Sequence, residues 1–240
     1  MKSYYITDVG KKRQINQDFV FCSEEPVGNL PNLFIVADGM GGHSAGDFAS
    51  RFCVEVFVEQ IQGFHHGTPI SIMAKALEST NHMLIEKANS DPSLNGMGTT
   101  FVTATIINDV MYVANVGDSR LYLIQDKITQ VTEDHSLVEE MVRKGELLKE
   151  EAKFHPNKNI VTRALGADMN LVPDYFEVNI NRNSTILLCS DGLNNMVDDS
   201  EILAVVKECE DNLEQAGKAL VGIANDNGGK DNISLVMVKL

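Results

Sequence analysis

Asp38 stands at the end of an apolar run in FIVADGMGGHSAG, and four glycines follow it between positions 39 and 46. Alone, Asp38-Gly39 is a turn signal, because Asp tolerates the left-handed backbone region and Gly supplies positive φ. The placement recurs, however. The apolar run 186–190 ends in Asp191-Gly192, the run 113–116 ends in Gly117-Asp118, and Asp231-Asn232 opens the last apolar segment. If neighbouring strands bring these ends together, the carboxylates cannot all stay ionised in a half-buried cleft without compensation. Each must either take up a proton, at about 1.4 kcal/mol per pKa unit, or share a cation. Lys and Arg are scarce near all four in the sequence. A divalent metal is therefore expected, and an all-oxygen ligand set selects Mg²⁺ or Mn²⁺ over zinc or copper. Gly39 would leave its bare carbonyl available to the same ion.

Other chemistries fit less well. Gly41 and Gly46 have P-loop spacing, but Asp47-Phe48 stands where Lys and Ser or Thr are required, and Ser44 replaces the last glycine of a G-x-G-x-x-G fingerprint. Asp134-His135-Ser136 carries triad residue types on one segment, where neighbours diverge; it reads as a strand end feeding a helix capped by Ser136. In Gly117-Asp118-Ser119-Arg120-Leu121, Leu121 breaks the G-x-S-x-G elbow. Cys22, Cys53, Cys189 and Cys209 lack C-x-x-C spacing and read as buried thiols, while His65-His66 reads as a solvated loop pair.

The elements that must position the acids follow from periodicity. Residues 33–37 read as a continuous apolar strand, and Ala45, Phe48, Ala49, Phe52, Cys53 and Val56 recur at helical spacing. A second helix is expected over 72–88. The period then changes to two: 101–107 and 110–116 form a hairpin about Asn108-Asp109, and turns at 117–119 and 125–127 lead into 120–124 and 128–131, predicting one antiparallel meander. A short helix over 136–144 is stopped by Gly145, and the polar stretch through residue 159 reads as part of a mobile flap spanning about 135–165. Strands at 175–180, 185–189 and 233–238 and helices at 201–208 and 213–224 complete the pattern. One α+β layered domain over residues 1–240 is expected, with helices outside the sheets.

Composition narrows the partners. The chain has 240 residues, 43% hydrophobic and 22% charged, which is enough to bury a sizeable core. Its net charge of -14 repels nucleic acid and anionic lipid, so neither is an expected partner. The absence of an apolar leader or spanning run at sequence level predicts no membrane insertion and a cytoplasmic protein.

Taken in order, Asp8-Val9-Gly10 with Arg13, Asn16 and Asp18, then ADGMGGHSAG, Gly98-Thr99-Thr100, Val116-Gly117-Asp118-Ser119-Arg120, Arg163-Ala164-Leu165-Gly166, Ser190-Asp191-Gly192-Leu193 and Asp231-Asn232-Ile233 resemble the metal-dependent type 2C (PPM) serine/threonine protein phosphatases in their bacterial form. The likeness covers nearly the whole chain. It implies a four-layer αββα sandwich of two antiparallel sheets flanked by helix pairs, with two Mn²⁺ or Mg²⁺ ions at one end. On the matching positions, Asp38 would bridge the ions, Asp191 and Asp231 would hold the first, the Gly39 carbonyl would hold the second, and Asp18 would act through a metal-bound water. Asp118, with Asp191, would serve a third and weaker ion.

The resemblance further implies attack on phosphoserine or phosphothreonine by a water bridging two ions, without a covalent phosphoenzyme. Arg13 is the candidate for a bidentate hold on the substrate phosphate. The expected partners are phosphorylated proteins, including serine/threonine kinases whose action the enzyme opposes, and a monomer is expected. The chain departs from the pattern at Gln17, where many members have Glu, and at Met40, where eukaryotic members have a His proposed as general acid; His43 is not assumed to replace it. A regulator that binds phosphoproteins without turnover is the alternative on the same fold, and a phosphatase of small metabolites is a third possibility. Retention of Asp38, Asp191 and Asp231 favours catalysis.

Overall fold

The computed structural model describes residues 1–41, 45–64 and 66–240. Gly42, His43 and Ser44 of the glycine loop, and His65 of the histidine pair, lie outside the described residues. In chain order the elements begin with β1 (Lys2–Asp8), β2 (Asp18–Ser23), β3 (Leu33–Met40), α1 (Ala45–Gly63) and α2 (Pro69–Ser90). They continue with β4 (Gly98–Thr99), β5 (Phe101–Ile107), β6 (Val110–Val116), β7 (Arg120–Ile124) and β8 (Ile128–Gln130). After α3 (Leu137–Arg143) and α4 (Lys149–Ala152) come β9 (Asp174–Asn179), β10 (Thr185–Cys189), α5 (Asp191–Asn194), α6 (Asp199–Glu208), α7 (Leu213–Asp226) and β11 (Ile233–Lys239).

Two antiparallel sheets stack face to face. One has the strand order β1-β11-β10-β7-β8 and the other β2-β3-β5-β6-β9, with β4 paired to β3. Alternation along the strands divides their side chains between layers. In β3, Leu33, Ile35 and Ala37 pack with Ala49, Cys53 and Phe57 of α1 and Met73 and Leu77 of α2. Phe34 and Val36 point the other way and meet Leu188 of β10 and Val236 and Val238 of β11 in the dry layer between the sheets. On the far side, Leu187, Leu235 and Met237 pack with Ile202 of α6 and Leu220 of α7. The layer order is thus helices, sheet, sheet, helices, as expected.

Parity explains the opening acid. Asp38 shares the face of Phe34 and Val36, so the strand aims it between the sheets at their open end. β3 does not stop there; it runs on through Gly39 to Met40, and Gly39 pairs with Thr99. Gly39 is required by close approach, since a Cβ there would lie 2.0 Å from the Gly46 carbonyl oxygen.

The single meander is corrected. β6 is already paired on both edges, by β5 and β9, so no edge remains for β7. Residues 117–119 instead carry the chain across to the opposite sheet, where β7 pairs with β10 and β8. β1 and β2 were not anticipated. The Ser136 cap holds, its hydroxyl accepting from the Glu139 N–H, and α3 ends before Gly145. Cys53 and Cys189 are buried, whereas Cys22 and Cys209 are half-buried, and all four are free thiols. His66 is exposed. Among the described residues no helix is long and apolar enough to cross a membrane.

Candidate active site

Asp18 and Asp38 are directly opposite in the β2–β3 register. Like charges facing each other across a strand pair are destabilising, so the pairing needs a reason beyond the fold. The backbone of Asp38 is locked by the end of β4 and the residue after it: its N–H donates to Thr100 Oγ1 (3.0 Å), and its carbonyl accepts from the Thr100 N–H (2.9 Å) and Thr99 Oγ1 (2.9 Å). Thr100 Oγ1 also meets Ser119 Oγ at 2.7 Å, tying the Asp38 strand to the turn that bears Asp118. From the facing sheet, Ser190 Oγ donates to Asp18 Oδ2 (2.7 Å), while Asp18 Oδ1 is buried with no hydrogen-bond partner. An orphaned buried carboxylate oxygen is costly and points to something that completes it.

The electrostatics agree. Burial raises Asp38 well above the usual carboxylate range, and Asp18, Asp191, Asp118 and Asp231 raise it further. Asp18 is pushed up to about 7, chiefly by burial, despite the hydrogen bond from Ser190. Burial lifts Asp118 to about 8, with Asp191 and Asp134 adding to the effect. Asp191 rises to about 6 through burial and Asp231, eased by a hydrogen bond with the Asp38 side chain and by Arg13 and Lys158. A carboxyl moved by three pKa units costs about 4 kcal/mol to ionise in place, against a whole-domain stability of about 5–15 kcal/mol. Without a cation, burial and mutual repulsion favour the protonated forms of these carboxyls.

Asp231 is treated differently. Arg13 Nη2 donates to Asp231 Oδ2 (2.7 Å), with both side chains partly exposed. The expected scarcity of basic residues near the acids is therefore corrected: Arg13 arrives from 218 positions away, and Arg120 pairs with Asp134 beside Asp118. Arg13 thus stands at the site but grips an acid there. Among the described residues no three His, Cys, Asp or Glu side chains already converge as a cage for an ion. One oxygen of Asp231 is taken by Arg13. The donor set remains all oxygen, which suits Mg²⁺ or Mn²⁺.

The structure brings Asp18, Asp38, Asp118, Asp191 and Arg13 with Asp231 to one end of the sandwich, and Gly39 lies next to Asp38. A Cβ on Gly46 would sit 2.8 Å from the Gly39 carbonyl oxygen, so glycine at 46 leaves room there. Met40 is half-buried beside this point. The roles of Thr99, Thr100, Ser190 and Asn232 escaped sequence reasoning, although their motifs were noticed. Leu165 of the Arg163-Ala164-Leu165-Gly166 motif bridges to Thr99 in both directions, and Arg163 reaches Asp174 and His135. No local signal joins segments so far apart.

Comparison with known proteins supplies the frame for this site. The model of the family described as protein phosphatase 2C matches residues 12–233. The serine/threonine phosphatase stp of Listeria monocytogenes is 39% identical over 254 residues, covering 100% of this chain and 96% of that protein. Protein phosphatase PhpP of Streptococcus pneumoniae is 38% identical over 248 residues, covering 100% and 98%. Among solved structures, serine/threonine phosphatase Stp1 from Staphylococcus aureus superposes with a TM-score of 0.92 at 33% identity, covering 100% and 94% of the two chains. The catalytic domain of the serine threonine protein phosphatase PstP, in complex with two manganese ions, gives a TM-score of 0.85 at 29% identity over 99% and 97%.

Proposed function

The chain belongs to the protein phosphatase 2C family, and from that membership we propose that it hydrolyses phosphoserine and phosphothreonine in proteins, using Mn²⁺ or Mg²⁺ held at the acidic end of the sandwich. The observation that carries the reading is the set of mutually repelling carboxyls, buried at Asp18 and Asp118 and half-buried at Asp38 and Asp191, with one Asp18 oxygen left unpaired. Asp38, Asp191 and Asp231 would hold two ions with the Gly39 carbonyl, Asp18 would contribute through water, and Asp118 with Asp191 would serve a third. Such ions neutralise charge on phosphoryl oxygens and lower the pKa of water.

The chain's own residues then have separate tasks. Asp38 and Asp191, whose pKa values are raised by burial, give up their protons when an ion is bound. Asp18 is held through Oδ2 by Ser190, which leaves Oδ1 as the acceptor for a water in the cleft. Arg13 exchanges Asp231 for two oxygens of the phosphate, a geometry its planar fork favours. Met40 donates no proton, so the leaving alkoxide takes its proton from solvent in the cleft. The same reading includes one catalytic domain over 1–240, a monomer in the cytoplasm, and opposition to serine/threonine kinases.

The test is hydrolysis of a phosphothreonine peptide with Mn²⁺ and with excess chelator. Turnover that depends on the ion is expected. Folded protein that turns over in neither condition would overturn the reading in favour of a binding regulator.

A further inference from the structure

The 9–17 arm, which carries Arg13, crosses the mouth of the sandwich from β1 in one sheet to β2 in the other. It lacks strand pairing; the Lys11 and Lys12 N–H groups donate to the Gly229 carbonyl (2.8 and 3.1 Å), and the rest of its path depends on side-chain fastenings. One residue ties both ends. Asn232 Nδ2 donates to the carbonyl oxygens of Val9 (2.9 Å) and Ile15 (3.0 Å), and Asn232 Oδ1 accepts from the Gln17 N–H (2.8 Å). The amide is buried, with 3% exposure, and it matches two backbone acceptors and one donor with the polarity each requires.

Asn232 is itself anchored to the acidic cluster. Its N–H donates to Asp231 Oδ1 (2.9 Å), and its carbonyl is so close to Gly192 that a Cβ there would lie 1.9 Å away. The backbone at 232 is thereby seated on α5, the short helix that begins with Asp191. The guanidinium of Arg13 is half-exposed and bonds Asp231, so the arm beneath it sets where it can reach.

We infer that Asn232 is a positioning residue for phosphate: by closing the 9–17 arm onto the segment that bears Asp231, it sets Arg13 at the distance from the acids that a bound phosphoryl group needs. The inference rests on the reading of Arg13 as the phosphate-binding residue. Asn232 does not touch substrate; it acts through the arm. An Asp at this position would still accept from Gln17 but would face two carbonyl oxygens with no donor.

The test compares Arg13→Ala, Asn232→Ala and the double variant, with Mn²⁺ saturating. The readouts are KM for a phosphothreonine peptide, the inhibition constant of inorganic phosphate, and hydrogen exchange of residues 9–17 in metal-free protein. Asn232→Ala should raise KM and the phosphate inhibition constant about tenfold, the loss of roughly one charge-assisted hydrogen bond, with a smaller change in kcat. Exchange in the arm should quicken while β11 stays protected, and the double variant should be no worse than Arg13→Ala. If Asn232→Ala does not fold, Asn232→Asp keeps the Gln17 bond and is read by the same criteria. An unchanged phosphate constant in the Asn232 variant beside a raised one in Arg13→Ala, or additive losses in the double variant, would overturn the positioning role alone. Unchanged constants in Arg13→Ala would instead sink the assignment of Arg13, and the inference with it.

Discussion

Replacing Asp38 with Asn should abolish turnover yet stabilise the metal-free fold at alkaline pH. Asp38 faces Asp18 across the strand pair and lies near Asp191, and burial with four neighbouring acids raises its pKa well above the ordinary 3.8. Below pH 3.8 the group is protonated both folded and unfolded, and it contributes no penalty. As pH rises the unfolded chain loses the proton first, so folding becomes less favourable until the folded pKa is passed. Asn keeps a donor toward Asp191 and never ionises, which removes that penalty and relieves Asp18 and Asp191 as well. Asp191, at about 6, is shifted by roughly two units, or about 3 kcal/mol, of which repulsion is one part. A gain of about 1–3 kcal/mol at pH 8 is expected for the substitution. For a domain of this size that raises Tm by about 2–12 °C. Melts in chelator at pH 3 and pH 8 provide the assay, since the gain should vanish at pH 3, below the unfolded pKa. A variant that melts at or below the wild type at pH 8 refutes the reasoning, whatever its activity.

Binding of Mn²⁺ near pH 6 should release protons, because Asp18 at about 7 and Asp118 at about 8 are still largely protonated there; affinity should climb through pH 6–8 and then level off. Calorimetric titration in buffers of different ionisation enthalpy measures this, and no release at pH 6 would contradict the protonated cluster. Arg13→Ala should tighten ion binding by up to about fivefold, since it frees an Asp231 oxygen from a half-exposed ion pair worth no more than about 1 kcal/mol. Equal or weaker binding would show that the guanidinium does not compete with the ion. Gly10→Ala should lower metal-free stability by about 1–3 kcal/mol, because Gly10 has φ 76 and an added Cβ would lie 2.2 Å from the Asp231 carbonyl oxygen. An unchanged melt would mean that the arm does not lie on the 231 segment.

The difference between what could and could not be read follows from the range of the interactions. Residues 33–37, 101–107, 110–116 and 185–189 announce themselves because each strand carries its own apolar repeat, and the acids at their ends are visible as letters. β1 and β2 are weaker signals: both are edge strands with mostly half-buried or exposed side chains, and β2 opens on a buried carboxyl that no propensity favours. Residues 117–119 look like a hairpin turn because nothing nearby reveals that β9, more than fifty positions later, takes the second edge of β6.

The site shows the same limit more sharply. The residue types announced a cation, but not which cation each acid meets without metal. Asp231 is answered by Arg13 and Asp18 by Ser190, while Asp38 stands beside Asp191, each carboxyl raising the demand for a cation. Those partners lie between 153 and 218 positions apart in sequence and are joined only when β11 pairs with both β1 and β10. β11 is thus the element on which the site is assembled: it closes one sheet, its leading Asn232 holds the arm, and its Ser234 N–H fixes the Ser190 hydroxyl that holds Asp18. Changes at the start of this strand should therefore disturb phosphate and metal sites together, whereas changes in α6, packed behind the same sheet, should reach activity only through stability.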